Sequence, residues 1–216
     1  MTLAPITKPV RRFGGKRVLL VMLAIVIVAA IPAVVMPILG RHRAHVLKDM
    51  GVIPPFTLTD ETGQPFTEAG LRGHPTIVSF IFTRCDTICP VTTMKMGRIQ
   101  EKTFGDAVKL MSISVDPTYD TPPRLAEYAK RYHADPTRWH FITGPADAIH
   151  TLVEGPFMTS MLREADRPGG IPNIAHGGYF MLVDGNLHLR GMYSSSDVHE
   201  LDKLILDARY LARTGT

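Results

Sequence analysis

The chain has 216 residues, of which 45% are hydrophobic and 20% charged, so it can form one domain with a sizeable core and an appendage. Its formal net charge is only +4. The basic residues are scattered or flank an apolar N-terminal segment, and they form no stripe interleaved with aromatic residues. This distribution argues against a nucleic-acid partner.

The N-terminal segment 18–39 is the longest apolar run of the sequence, and only two prolines interrupt it. About 20 apolar residues suffice for one transmembrane helix. Five Lys or Arg residues precede the run and three follow it within residues 40–48, which predicts an N-terminus inside and a main domain outside the cytoplasm. The alternative is a cleaved signal peptide with its apolar region at 18–31. We prefer the uncleaved anchor because the run exceeds the usual length of such a region.

Both the anchor and the signal peptide export residues 41–216. The anchor predicts a single-pass protein of the cell inner membrane. Residues 1–17 then form a cytoplasmic N-terminal segment, 18–39 the transmembrane anchor, 40–54 a polar tether, and 55–213 a domain in the periplasm or an equivalent exported compartment.

The exported domain begins with a short β-hairpin, in which residues 56–60 and 65–67 flank a turn. Residues 76–82 form a nearly continuous apolar run, which indicates a central strand buried on both faces. Residues 155–175 contain several Gly and Pro residues without a clear period, and we expect a functional or mobile loop there. The other predicted elements are helices at 91–103, 122–132, 146–154 and 197–211, and strands at 108–115, 139–143, 179–183 and 187–193.

The order of these elements, βββαβαβαββα, defines the fold class. A βαβ unit precedes an αββα half, and both contribute to one central sheet. We therefore predict an α/β protein with a thioredoxin-like fold and an N-terminal β-hairpin extension, preceded by one transmembrane helix.

Cys85 and Cys89 are the only cysteines of the chain, and they lie between the strand at 76–82 and the helix that follows it. Thiols at positions i and i+4 of such a junction can face the same way. Thiolates are soft ligands that favour Cu(I), and a helix N-terminus lowers the pKa of a nearby thiol. The pair predicts a soft-metal site or reversible dithiol chemistry. In an oxidising compartment it forms a disulfide unless a reductant or a metal ion intervenes.

Three segments of the chain resemble the signatures of the Sco/SenC family, and the resemblance covers about residues 50–213. The first segment contains the cysteine pair, the second is an acidic loop, and the third has a histidine before a strand. Two glycines follow this histidine, where the family usually has Ser or Thr and a bulky residue. The segments are FTRCDTICP at 82–90, SVDPTYDTP at 114–122 and IAHGGYFMLVD at 174–184.

The resemblance implies a membrane-anchored, thioredoxin-like copper chaperone that assists assembly of the dinuclear copper centre of cytochrome c oxidase. The implied ligands of the copper, as Cu(I), Cu(II) or both, are Cys85, Cys89 and His176. The implied partners are a copper-containing subunit of cytochrome c oxidase, an upstream copper donor and, through the N-terminal helix, the membrane.

Other functions use the same thiols. A thiol–disulfide oxidoreductase, which is an enzyme, would use Cys85 and Cys89 as a redox-active dithiol that keeps the copper-binding cysteines of an oxidase subunit reduced. His176 favours copper binding, since a pure oxidoreductase does not need it. A peroxidase or a sensor fits less well, because the peroxidase pattern wants a differently placed thiol. A structural zinc site is disfavoured because it needs four protein ligands.

The acidic segment contributes two further candidates, Asp116 and Asp120. They either support the site or contact a partner, or they have the local roles of opening a loop and capping the helix at 122–132. The sequence leaves both possibilities open. Structural or surface roles are expected for five histidines on helices, on strands or at their edges: His133, His140, His150, His188 and His199.

Overall fold

The computed structural model of the protein describes residues 47–158 and 178–215, the backbone of two strands between them, and residues 19, 20, 22, 23 and 25. The chain divides into two units, residues 1–46 and 47–216. In the first unit the five described residues are helical and exposed, and the rest of the predicted anchor, 18–39, lies outside the described residues. Within the part of the chain that is described, no helix has the length and apolar character needed to cross a membrane.

Seven strands of the second unit form one sheet, and two more form a separate hairpin. The order in the sheet is β2-β1-β5-β4-β3-β8-β9, and β6 pairs with β7. The strands are β1 (Thr57–Asp60), β2 (Pro65–Thr67), β3 (Thr76–Ile81), β4 (Lys109–Ser114), β5 (Trp139–Thr143), β6 (Leu162–Arg167), β7 (Ile171–Ala175), β8 (Tyr179–Val183) and β9 (Leu189–Ser194).

The centre of the sheet is mixed. β3 runs parallel to β4, which is parallel to β5, whereas β8 is antiparallel to β3 and β9 to β8. The hairpin of β1 and β2 joins the outer edge through an antiparallel pairing of β1 with β5. All six residues of β3 are buried, which confirms the predicted central strand. This mixed α/β architecture is thioredoxin-like with an added N-terminal hairpin, as predicted.

Four α-helices cover the two faces of the sheet. Alternate residues of β3 pack into two different hydrophobic clusters. Ile77 and Ile81 belong to the cluster that includes residues of α1, α2 and α4. Val78 and Phe80 belong to the cluster that includes residues of α3. The helices are α1 (Ile88–Lys102), α2 (Pro122–Arg131), α3 (Ala146–Glu154) and α4 (Val198–Thr214).

Four predicted elements differ from the observed ones by two residues or more, and one of them, helix α4, ends at Thr214 rather than at residue 211. The segment 155–175, predicted to be a loop, contains strands β6 and β7. Their pairing is a contact between two segments, so it leaves no periodicity in either one alone. Strand β9 begins at residue 189 rather than 187, because Leu187 adopts a positive φ of 69° and donates its N–H to the carbonyl of Asp184 within the turn. Helix α1 begins at Ile88, three residues before its predicted start.

The second unit begins inside the predicted tether 40–54. Leu47 and Ile53 are buried, and the N–H groups of Met50 and Ile53 donate to the carbonyls of Leu189 and Leu187 at 2.9 and 2.8 Å. These contacts attach residues 47–53 to the start of β9, so the second unit begins before the predicted domain start at residue 55.

Candidate metal centre

The cysteine pair lies where β3 gives way to α1. Cys85 is in the connecting loop, where its N–H donates to the carbonyl of Phe82 at 3.1 Å, and Cys89 is in the first turn of α1. Cys89 N–H donates to the Cys85 sulfur at 3.4 Å, whereas the side chain of Thr87, at the N-cap position, makes no capping bond. The sulfur of Cys85 therefore accepts a hydrogen bond that a capping oxygen usually accepts.

This arrangement explains the early start of α1. The predicted helix began at residue 91, directly after Pro90, because a helix-forming stretch starts there. In the structure Pro90 is the third helical residue, where its missing N–H would have had no partner within the helix. The Cys85 sulfur accepts the N–H of Cys89 in the first turn of the helix, just before Pro90, so both cysteines belong to one structural unit.

The two thiols titrate as an unequal pair. The hydrogen bond from the Cys89 thiol lowers the pKa of Cys85 to about 4, and the N–H groups of Cys89 and Thr87 act in the same direction against the cost of burial. The same bond between the sulfurs raises the pKa of Cys89, and burial adds to this effect. Cys85 is 9% exposed and Cys89 is fully buried. The pair thus combines a thiolate at Cys85, which is almost buried, with a fully buried thiol at Cys89.

A buried carboxylate, Asp120, holds the residues that lead into the pair. Thr83 donates its N–H to Asp120 at 3.0 Å and its hydroxyl to the other carboxylate oxygen, and the Ser114 hydroxyl donates at 2.6 Å. Burial raises the pKa of Asp120, and these hydrogen bonds oppose the rise. Asp120 does not cap α2, because the N-cap position is occupied by Thr121. Of the two roles left open for Asp120, the structure supports the one beside the site.

The second acidic residue, Asp116, forms an ion pair with the residue next to Cys85. Arg84 donates to one oxygen of Asp116 through Nη2 at 2.6 Å and through Nε at 3.1 Å, and Asp116 is 4% exposed. The ring of Tyr119 lies 4.2 Å from the Arg84 guanidinium. The ion pair connects the cysteine loop to the loop that follows β4, so the two signature segments form one surface.

Thr83 and Arg84 were not predicted from the sequence to hold the site. The available signal was topological: β3 and β4 are parallel neighbours, so the loops at their carboxyl ends meet at the same edge of the sheet. Because the cysteine loop follows β3 and the acidic loop follows β4, polar residues flanking Cys85 were candidates for contacts with Asp116 and Asp120.

Helix α2 braces the first turn of α1. The Thr93 hydroxyl donates to the carbonyl of Cys89 at 2.8 Å and lies 2.9 Å from the hydroxyl of Tyr128. Tyr128 is buried, and burial raises the pKa of its hydroxyl. The carbonyl of Cys89 is thereby linked through Thr93 to helix α2.

Gly178 approaches the same helix end from another part of the chain. It accepts a hydrogen bond from Ser195 N–H at 2.6 Å. A Cβ atom at this position would lie 2.8 Å from the Ser195 hydroxyl and 3.1 Å from the terminal methyl of Ile88. This close packing is a physical reason for glycine where the family usually has a bulky residue. The predicted ligand His176 lies outside the described residues.

The chemistry of the described donors suits a soft metal ion. Two sulfur atoms within hydrogen-bonding reach, one of them a thiolate at a helix N-terminus, fit Cu(I) better than a hard cation. Among the residues that the structure describes, no three His, Cys, Asp or Glu side chains are grouped so as to hold a metal ion.

Fold and site together define the class as a thioredoxin-like α/β protein with a dithiol at the start of its first long helix. The family model of SCO1/SenC matches residues 46–207. The chain belongs to the SCO1/SenC family.

Three known proteins illustrate the similarity. The SCO1 protein homolog of Bacillus subtilis is 29% identical over 159 residues, which are 73% of this chain and 81% of the homolog. The structure of BsSco, a member of the Sco family of cytochrome c oxidase assembly proteins with a disulfide switch, is 28% identical with a TM-score of 0.66 over 77% of this chain and 97% of BsSco. The copper-bound structure of Arabidopsis thaliana ScoI is 25% identical with a TM-score of 0.65 over 76% of this chain and 99% of ScoI.

Proposed function

We propose that this protein binds copper and assists assembly of the dinuclear copper centre of cytochrome c oxidase. The observation that carries the proposal is the thiolate of Cys85 beside Cys89 at the N-terminus of α1. Thiolate is the form of cysteine that binds Cu(I). The copper bound in Arabidopsis ScoI and the oxidase-assembly role of the family of BsSco support the same conclusion.

We propose His176 as the third copper ligand. Two residues of chain span at most about 7 Å, and Gly178, two residues after His176, packs against the first residue of α1. Because only two residues of chain separate His176 from this contact, its imidazole is expected within reach of the cysteine pair. Two thiolates and one imidazole give a three-coordinate site that can admit a ligand from a partner, as copper transfer requires. The donor would be an upstream copper carrier, and the acceptor a copper-containing oxidase subunit.

The domain boundaries form part of the proposal. Residues 1–17 are cytoplasmic, and 18–39 span the inner membrane and are not cleaved. The following residues connect the anchor to the exported copper domain 55–213, to which residues 47–53 also belong because they hydrogen-bond to the start of β9. The apolar length and the charge asymmetry of the sequence support this topology. Carbonate-washed membranes should retain the full chain with its original N-terminus. A soluble mature protein that begins after residue 30 would show cleavage instead.

A second function, thiol–disulfide exchange, is favoured by the inequality of the two thiols. A thiolate at Cys85 is the attacking form. Cys89 beside it can resolve the mixed disulfide if its thiol gives up its proton to the leaving thiolate of the partner as the Cys85–Cys89 bond forms. In this role the protein would reduce the copper-binding cysteines of an oxidase subunit and would itself become oxidised to the Cys85–Cys89 disulfide.

Copper analysis of the reduced full-length protein tests the main proposal. The wild-type protein should bind one copper ion, and the Cys85→Ser/Cys89→Ser double variant should bind none tightly, because hydroxyl groups are poor ligands for Cu(I). His199→Ala is the matched histidine control, since His199 is exposed on α4. If the double variant retains the wild-type copper stoichiometry, the assignment of the site is wrong.

A further inference from the structure

A cavity of about 310 Å³ is lined by Thr83 and Arg84, the two residues that precede Cys85, and by Tyr119 of the acidic loop. Arg84, which directly precedes Cys85, forms one wall together with Tyr119. Helix α2 forms the other wall through Arg124, Glu127 and Arg131. Three guanidinium groups therefore surround one cavity at the rim of the proposed copper site.

Two of these guanidinium groups are held on the ring of Tyr119. Arg84 lies 4.2 Å from the ring centroid and Arg124 lies 3.8 Å from it. Cation–π contacts of this kind fix the plane of a guanidinium group. Arg84 is fixed further by its ion pair with Asp116, and Arg124 donates to the carbonyl of Tyr119 at 2.6 Å. The cavity wall is thus an ordered cationic surface.

The remaining charges leave the cavity attractive to a single negative charge. Arg124 and Arg131 are seven residues apart and share one face of α2. The Arg131 guanidinium is 3.8 Å from Glu127, and both side chains are more than half exposed, so this pair is weak. With the charge of Asp116 paired to Arg84, the cavity carries three cationic groups against two carboxylates. Glu127 at the rim disfavours a doubly charged anion such as phosphate more than a carboxylate.

We propose that this cavity is a carboxylate-binding site, and that it docks an acidic side chain of the protein with which the cysteine pair exchanges copper. The proposal rests on the proposed function for the identity of the partner. Planar guanidinium groups match the two oxygens of a carboxylate. A partner carboxylate bound beside Arg84 brings the partner's surface next to Cys85, which directly follows it in the chain. A small free carboxylate would use the same chemistry, and the experiment must separate the two sources.

The test uses the full-length, reduced and copper-free protein, so that its outcome does not depend on copper binding. Fluorescence anisotropy would measure the binding of a labelled five-residue glutamate peptide and of the matching glutamine peptide. Free succinate would be measured as an unlabelled competitor of the glutamate peptide. The glutamate peptide should bind more tightly than succinate, and the glutamine peptide should bind at least about tenfold more weakly. Arg124→Gln/Arg131→Gln should weaken peptide binding about tenfold, since two exposed charge contacts are lost. Higher salt should weaken binding as well.

Lys130→Gln provides the matched control, because Lys130 is an exposed cation of α2 outside the cavity lining. It should leave the peptide affinity within about twofold, as expected for a solvent-screened charge that does not line the cavity. An equal loss in Lys130→Gln and in the double arginine variant would show a general charge effect and overturn the proposal. Succinate binding as tightly as the glutamate peptide would show a free-anion site and would also overturn it.

Discussion

At the scale of single residues, the central feature is that the Cys85 sulfur completes the N-terminus of a helix. It accepts from Cys89 N–H, and the pKa of its thiol is lowered chiefly by the hydrogen bond from the second thiol. The helix dipole favours a negative charge at the same point. One sulfur is therefore ready to bind Cu(I) or to attack a disulfide without any base to remove its proton.

We expect Cys85 to react as a thiolate at mildly acidic pH. Its lowered pKa means that the thiolate fraction is nearly complete above about pH 5, so the rate of alkylation by iodoacetamide should change little between about pH 5.5 and 8. An ordinary thiol would react about tenfold faster for each pH unit in this range. Pre-steady-state alkylation with mass-spectrometric site assignment measures this profile.

The Cys89→Ala variant is the control for the origin of this reactivity. It removes the side-chain donor that lowers the pKa of Cys85, so the pKa should rise and the alkylation rate at about pH 6 should fall. A wild-type protein whose rate increases steeply up to pH 8 would contradict the unequal pair.

The buried carboxylate of Asp120 should be important for stability. Asp120→Asn replaces an acceptor by an amide donor that faces the donors of Thr83 and Ser114. We expect a loss of about 1–3 kcal/mol in the free energy of unfolding, measured by urea denaturation of the reduced protein. Asp202→Asn is the matched control, because the Asp202 side chain is 57% exposed and should cost no more than about 0.5 kcal/mol. Equal effects of the two variants would contradict the anchoring role.

At the scale of elements, the site is built where two parallel strands end. The loop after β3 carries the thiols and the loop after β4 carries the two aspartates, and hydrogen bonds between the loops hold them together. The first turn of α1 is held by Thr93, which contacts Tyr128 of α2. Each of these contacts joins residues about 30 or more positions apart in sequence, except for the hydrogen bond from Thr93 to the carbonyl of Cys89, which lies within α1.

The sequence predicted well those elements whose buried residues form a recognisable apolar or amphipathic pattern. The continuous apolar run 76–82 corresponds to a fully buried β3, and the amphipathic run 197–211 corresponds to α4, with Asp197 capping it through His199 N–H. The early start of α1 was missed because a sulfur, not an oxygen, caps it. The hairpin of β6 and β7 was missed because the pairing of two strands leaves no local pattern in either segment. The hydrogen bonds of Asp120 to Thr83 and Ser114 were missed because they depend on which strands are neighbours in the sheet.

Phe157 should contribute strongly to stability by fixing the turn that follows α3 against β3. It is fully buried and its ring packs edge-on against Phe80 of β3 at 5.5 Å, just before the segment that holds β6, β7 and His176. Phe157→Ala should lower the free energy of unfolding by about 3–5 kcal/mol, because it leaves a cavity. Phe104→Ala, at a site that is 81% exposed, should change it by about 0.5 kcal/mol or less. Urea denaturation compares the two variants, and a small loss in the first would contradict the anchor.

At the scale of the whole molecule, the proposed topology places a dithiol in an oxidising compartment. Two cysteines in a disulfide have no thiolate charge to donate, so the disulfide and copper binding exclude each other. Oxidation should therefore block Cu(I) loading, and bound Cu(I) should protect both thiols from alkylation. The two proposed functions use the same sulfur atoms and differ in whether the molecule needs His176.

The most direct test is to measure copper affinity and dithiol reduction potential in the same His176→Ala variant of the reduced protein, beside His199→Ala as control. Copper affinity should fall at least about tenfold in His176→Ala, as expected on loss of a ligand. The reduction potential should stay within about 15 mV, because His176 is not part of the dithiol couple. An unaltered copper affinity together with a strongly shifted potential would assign His176 to redox chemistry and contradict the copper-binding function.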